Sequence, residues 1–195
     1  MGIKELVLEN GIRIVKKPDY ITYEQIQECL DKAHEVNAKK GLNYATQGQS
    51  VEKLVEKLKN AVTYVALTPE NKVVATASVQ FRKINHWYHN GDIGLLKLIG
   101  VLPEYSGFKL ATLLLMQMHL EVQSRKVEVM VSDSAEANIA IRKLYLHNGF
   151  KIVDCCKYTE NNFISVVYAY WFHGCPYSRF KRWWKYNAHR RKLNS

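Results

Sequence analysis

The chain has 195 residues, 47% of them hydrophobic and 24% charged, enough for one domain with modest extensions and a sizeable buried core. No apolar run approaches the roughly 18 residues of a membrane helix, and a start that carries both Lys4 and Glu5 is unlike a signal peptide. A cytoplasmic protein with no membrane span is therefore expected. The net charge of +10 is unevenly placed: residues 176–195 carry seven Lys or Arg and no acid, leaving the rest close to neutral at +3.

Between Glu5 and Lys16 apolar and polar residues alternate about the turn Asn10-Gly11, which predicts a strand or short hairpin. Thr22, with Gln25 three residues on, forms a capping box for a first helix. Its inward stripe is Ile26, Cys29, Leu30, Ala33 and Val36, and Lys39-Lys40-Gly41 stops it. Ser50 caps a second helix with the stripe Val51, Leu54, Val55 and Leu58. Residues 62–67 and 73–81 read as a hairpin across Thr68-Pro69-Glu70-Asn71. A loop of His and aromatic residues (86–90) follows, then a strand over 92–102 that ends at Pro103. Helices are expected over 110–123 and 135–148, a strand over 126–132 between them, and antiparallel strands over 150–157 and 163–172. Hairpins combined with two strand–helix crossovers predict a mixed sheet flanked by helices. Cys29, Cys155, Cys156 and Cys175 lack metal-knuckle spacing, so reduced thiols and no metal site are expected.

The chemistry is concentrated in residues 99–112. A strand runs into a tight polar turn and then a helix start, whose unpaired N–H groups and positive dipole end suit a pyrophosphate. Gly107 allows close backbone approach, and Lys109 adds positive charge. The segment resembles the acetyl-CoA signature V-x-P-x-Y-(R/Q)-G-x-G-x-(G/A) of the GNAT superfamily of N-acetyltransferases. Val101, Pro103, Tyr105, Gly107 and Ala111 are in register. Ser106 stands for the usual Arg or Gln, and Lys109 for the middle Gly.

A second segment, residues 138–150, resembles the family's N-x-x-A-x-x-L-Y-x-x-x-G-F through Asn138, Leu144, Tyr145, Gly149 and Phe150, with Ile141 in place of Ala. Asn138 and Tyr145, seven apart, share a helix face. The resemblance implies an α/β (α+β) fold with a mixed, mostly antiparallel sheet of about seven strands and about four helices. It implies an acyl-CoA N-acyltransferase domain over 1–175 and a basic, aromatic extension over 176–195. Acetyl-CoA would be the co-substrate. Ser106, Gly107, Phe108, Lys109, Leu110, Ala111 and Thr112 would hold its pyrophosphate through backbone amides. Ile99, Val101 and Asn138 would hold its pantetheine arm, and Tyr145 would protonate the leaving thiolate. A primary amine on a small molecule or peptide would attack the thioester directly in a ternary complex.

The residues name several candidate bases for that amine: Glu104, Asp92, His86 and His89. Glu104 and Asp92 also read as turn acids, and Asp133 and Glu136 as helix-capping groups. The acceptor pocket is expected from the first two helices, the 86–90 loop and the last strands, with Tyr44, His86, Trp87, Tyr88 and His89 making it aromatic.

In the C-terminal segment Tyr177, Phe180, Trp183, Trp184 and Tyr186 interleave with the basic residues. One reading is a surface for nucleic acid, an acidic partner or an anionic membrane. The favoured one is a helix whose aromatic side packs on the domain while its basic side faces water. That segment is also a candidate homodimer contact. The alternative function is a nucleic-acid- or ribosome-associated protein on an acyltransferase-like scaffold.

Overall fold

The computed structural model describes residues 5–44 and 46–194. In chain order the elements are β1 (Glu5–Val7), β2 (Arg13–Lys16), α1 (Tyr23–Ala38), α2 (Val51–Leu58), β3 (Ala61–Leu67), β4 (Val73–His86) and β5 (His89–Val101). A 3-10 turn (Pro103–Tyr105) leads to α3 (Leu110–Ser124), β6 (Val129–Ala135), α4 (Ile139–His147), β7 (Lys151–Lys157), β8 (Ile164–Trp171) and α5 (Arg179–Asn194). Eight strands form one sheet in the order β1-β2-β3-β4-β5-β6-β8-β7. Every neighbouring pair is antiparallel except β5 and β6.

Local chemistry sets most boundaries. Asn10 Oδ1 accepts the Ile12 amide at 3.2 Å and Gly11 takes φ +77°, closing the β1–β2 turn. Because that segment is a true hairpin, the sheet has eight strands rather than seven. In the α1 capping box, the Thr22 amide donates to Gln25 Oε1 at 2.9 Å and the Gln25 amide to Thr22 Oγ1 at 3.4 Å. Two expectations are corrected. The segment 86–90 is no loop: β4 and β5 pair out to His86↔His89, leaving only Trp87-Tyr88 as the tip. The helix expected from Ala135 begins at Ile139, because Ala135 is still paired with Ser165 and Asn138 supplies the cap.

The β4–β5 hairpin carries a bulge. Ser78 faces Lys97 and Thr76 faces Gly100, so Leu98 and Ile99 together oppose Ala77. Leu98 sits there at φ +56°, a left-handed conformation that costs a branched residue about 1 kcal/mol or more. One extra residue inverts the in–out alternation of the strand. Gly94, before the bulge, lies under α3: a Cβ there would come 2.5 Å from Val122 Cγ2. Gly100, six residues on, lies under α1 on the other face, where a Cβ would meet Leu30 and Ala33 at 3.1 Å. Bulge and glycines together let helices close on both faces of one strand.

The main core runs from α1 through β3, β4 and β5 to α3, Tyr145, Phe150 and Tyr168. His119 of α3 sits in it among Phe150, Tyr170 and Phe172. Its buried Nε2 has no hydrogen-bond partner among the described residues, and burial lowers its pKa to about 4.

Gly94→Ala is expected to lower unfolding free energy by about 1–3 kcal/mol in urea titration, because Val122 must move. Since the fold holds His119 neutral, the unfolded chain binds the extra proton. Stability should therefore fall as pH drops below the ordinary histidine pKa and level off near pH 4. His119→Phe should flatten that part of the curve, measured as the urea midpoint between about pH 7 and pH 4.

Candidate active site

β5 and β6 are paired only at Gly94↔Met130 and Leu95↔Val131. Beyond that point β5 stays with β4 as far as Val101, and β6 stays with β8 as far as Ala135. The two strands thus diverge into a wedge whose facing edges are paired with no strand among the described residues. Ser132 bridges its apex by donating Oγ–H to the Leu96 carbonyl at 3.4 Å. The wedge opens into a cavity of about 320 Å³ lined by Leu96–Ile99 of β5, Ser132–Ser134 of β6, Asn138, Ile141 and Tyr145 at α4, His34, Tyr44 and Thr46 near α1, and the β7–β8 loop.

Tyr145 forms the floor. It is buried, and its hydroxyl lies 2.7 Å from Ser132 Oγ. Burial raises its pKa, so it holds its proton throughout the neutral range. When Ser132 donates to Leu96, the proton between the two hydroxyls is Tyr145's; when Ser132 donates to Tyr145 instead, the phenol proton turns free toward the cavity. Asn138 caps α4 by accepting the Ile141 amide at 3.2 Å, and its Nδ2 donates to the Tyr44 hydroxyl at 2.9 Å. Tyr44 is also 3.1 Å from Ser134 Oγ and stacks on His34 with ring centroids 5.2 Å apart. Burial lowers the pKa of His34, and its buried Nδ1 has no hydrogen-bond partner among the described residues.

The turn after β5 is built to leave amides open. Within it the amides of Tyr105, Ser106 and Phe108 return to the carbonyls of Leu102, Pro103 and Tyr105. No described acceptor takes the amides of Gly107, Lys109, Leu110, Ala111 or Thr112, and α3 begins with neither a side-chain cap nor an acidic residue in its first turn. Gly107 has φ +94°. Lys109 has φ +58° and ψ +17°, the left-handed conformation a glycine adopts freely, so this loop keeps a glycine geometry with a lysine in it.

The structure brings some predicted site residues together and separates others. Ile99, Asn138 and Tyr145 line the cavity. Val101 ends the wedge strand, and residues 106–112 form the open-amide turn beyond it. Glu104 lies outside the cavity on an exposed turn, where its carboxylate is 3.7 Å from Lys72 Nζ. Asp92 is exposed on the hairpin arm opposite Lys83. His86 stacks on Tyr88, and His89 Nε2 lies against the Asp92 carbonyl at 3.1 Å, both on the far hairpin. Of the aromatic pocket residues expected, Tyr44 alone lines the cavity; residues 86–89 do not. Neither Asp133 nor Glu136 caps α4. Asp133 lines the cavity with its pKa raised by burial, and Glu136 is engaged by α5. His34, Asp133, Tyr158 and Glu160 line the cavity and were missed as candidates. For His34 a signal existed: it falls beside Leu30 on the inward stripe of α1, where an imidazole replaces an apolar residue.

Among the described residues one group, Asp154, Cys155 and His189, places metal-type ligand atoms within 4.8 Å of one another. It lies under α5, away from the cavity. His189 Nδ1 is already 2.7 Å from Asp154 Oδ1, and burial pushes the Cys155 thiol up to about 11. All four cysteines are free.

The sequence matches no protein-family model and no curated protein. The fold has many counterparts among solved structures. An acetyltransferase from Streptococcus agalactiae superposes with TM-score 0.64 at 18% identity, over 85% of this chain and all of that one. A GNAT family acetyltransferase from Elizabethkingia anophelis with acetyl-CoA bound gives TM-score 0.57 at 14% identity, over 85% of this chain and 100% of that one. The ribosomal-protein-S18-alanine N-acetyltransferase from Escherichia coli gives TM-score 0.61 at 18% identity, over 81% of this chain and 92% of that one. The chain has the GNAT acetyltransferase fold.

Lys109→Gly removes the left-handed strain without touching any packed side chain. It should raise unfolding free energy by up to about 1 kcal/mol in urea titration. A loss of stability would show that the lysine side chain contributes more than its backbone costs.

Proposed function

We propose that this protein is an N-acetyltransferase that moves an acetyl group from acetyl-CoA to a primary amine by direct attack in a ternary complex. The observation that carries the reading is the wedge between β5 and β6, floored by the Tyr145–Ser132 hydroxyl pair and continued by the open amides of residues 107–112. A pantetheine arm is an extended chain of amides, and unpaired strand edges bind such a chain as an added strand does. The open helix start suits the pyrophosphate. The acetyl-CoA seen with the Elizabethkingia protein, on the same fold, supports the same donor here.

The chemistry requires three proton and charge movements, and residues are in place for each. The amine must lose a proton before or as its nitrogen attacks the thioester carbonyl carbon. His34 is neutral near pH 7, lines the cavity and has an unpartnered nitrogen, so we assign it the base ahead of Glu104 and Asp92. The tetrahedral oxyanion needs an N–H donor, which the wedge edge of β5, up to Val101, supplies. Collapse breaks the carbon–sulfur bond, and the departing thiolate takes the proton of Tyr145, which Ser132 can hold or release.

The acceptor side is bounded by His34, Tyr44, Lys57, Glu160 and Phe163. That mixture of aromatic rings with both charge signs fits a peptide amine or a small polar amine. The E. coli structure above, named for an alanine of a ribosomal protein, supports the peptide class.

Calorimetric titration with acetyl-CoA tests the first step: saturable binding is expected, and none at about millimolar ligand overturns the reading. In a thiol-release assay over a panel of amines and N-terminal peptides, Tyr145→Phe and His34→Gln should each lower kcat/KM by roughly 100-fold. Acetyl-CoA affinity should stay within a few-fold. Variants as fast as the unaltered protein would remove those two residues from the mechanism.

A further inference from the structure

α5 packs along β7, the edge strand, and does so with its charged side inward. Arg190 makes a two-pronged contact with Glu136, Nε to Oε1 at 2.9 Å and an outer nitrogen to Oε2 at 3.0 Å. The Tyr186 hydroxyl donates to the same carboxylate at 2.8 Å, His189 meets Asp154 at 2.7 Å, and Arg182 donates to the Tyr177 carbonyl. These residues, at 182, 186, 189 and 190, form one helical face. Phe180, Trp183 and Trp184 lie outside these contacts and are 72%, 60% and 50% exposed. The expectation of an aromatic side packed on the domain holds for Tyr177 and Tyr186, which pack against the two apolar clusters, and fails for Phe180, Trp183 and Trp184: polar and ionic contacts hold the helix so that these three rings are exposed to water.

A contiguous aromatic patch held outward on a rigid element costs solubility and marks an interaction surface. Its surroundings define the partner. Arg179, Lys181 and Arg191 are exposed on the same helix, and residues 176–195 contain no acid. The partner is therefore anionic and must also accept buried apolar rings. Phe180 and Trp183 lie side by side with centroids 6.2 Å and planes 29° apart, so their rings join in one apolar patch. The patch is the convex side of a single helix, a shape that fits a flat surface. Trp and Phe at the boundary between headgroup and acyl chain, with Lys and Arg at the phosphates, is the arrangement of helices that lie in the plane of a bilayer. No helix among the described residues is long and apolar enough to cross one. We propose that the outward face of α5 docks the protein on an anionic lipid membrane, lying in the interface without spanning it. This proposal does not depend on acetyl transfer.

Flotation of the full chain with lipid vesicles is the test. Vesicles of phosphatidylcholine with about one third phosphatidylglycerol should carry the protein upward, and vesicles of phosphatidylcholine alone should retain at least about tenfold less. Raising salt from about 0.05 M to 0.5 M should release much of it. The triple change Phe180→Ser, Trp183→Ser, Trp184→Ser should weaken binding about tenfold or more with the thermal midpoint unchanged, since these rings are largely solvent-exposed. Arg179→Glu with Arg191→Glu should weaken binding to the anionic vesicles and leave the faint binding to neutral ones as it was. Failure to float with anionic vesicles overturns the proposal, as does equal flotation of the triple variant. Retention of a single-stranded RNA oligomer by the same face, lost in the same variants and without vesicle binding, would make α5 a nucleic-acid surface instead.

Discussion

The structure turns on one inserted residue in β5. The bulge at Leu98–Ile99 inverts the side-chain alternation of the strand, so Gly94 meets α3 and Gly100 meets α1 on opposite faces. It also lies just beyond the last pair that joins β5 to β6. A bulge increases local twist, and this one lies on the stretch of β5 that has left β6, where the wedge and its cavity open. A left-handed Leu is costly, and Leu98 also lines that cavity.

The wedge holds a network of uncharged polar groups, with Lys57, Lys97, Asp133 and Glu160 also lining the cavity. Tyr145, Ser132, Asn138, Tyr44 and Ser134 are linked by hydroxyl and amide hydrogen bonds, with His34 stacked on Tyr44. Burial keeps the phenol of Tyr145 protonated and the imidazole of His34 neutral. A protonated phenol and a neutral imidazole therefore line the same cavity, with burial the largest cause of both states. The turn beyond it leaves open the amides of Gly107 and of Lys109 to Thr112.

The C-terminal helix follows a different logic. Glu136 is fixed by Arg190 and Tyr186 together, and its pKa is held down by the Arg190 hydrogen bonds. Those contacts are partly shielded from water, where charge-assisted pairs are stronger than on an open surface. They set the rotation of the helix, and rotation alone decides whether its rings are core or surface.

Much of this was legible in the residues. Thr22, Ser50, the Asn10-Gly11 turn and Gly149 mark element ends through local hydrogen bonding and backbone preference, and those marks hold. From the two motif segments Ile99, Asn138 and Tyr145 line one cavity, and the 106–112 turn follows the strand that borders it. What the sequence by itself determined was the kind of most elements, through caps, turns and periodicity, and two motif segments that the fold brings beside one wedge. Only the tertiary structure decided that Glu104 and Asp92 fall outside the cavity, that His34 falls inside it, that β4 and β5 run on through the 86–90 segment, and that α5 turns Phe180, Trp183 and Trp184 to water. Each of these depends on contacts between residues far apart in the chain, such as Glu136 with Arg190 or Tyr44 with Asn138, and helical or strand periodicity shows which residues share a face but not which way that face turns.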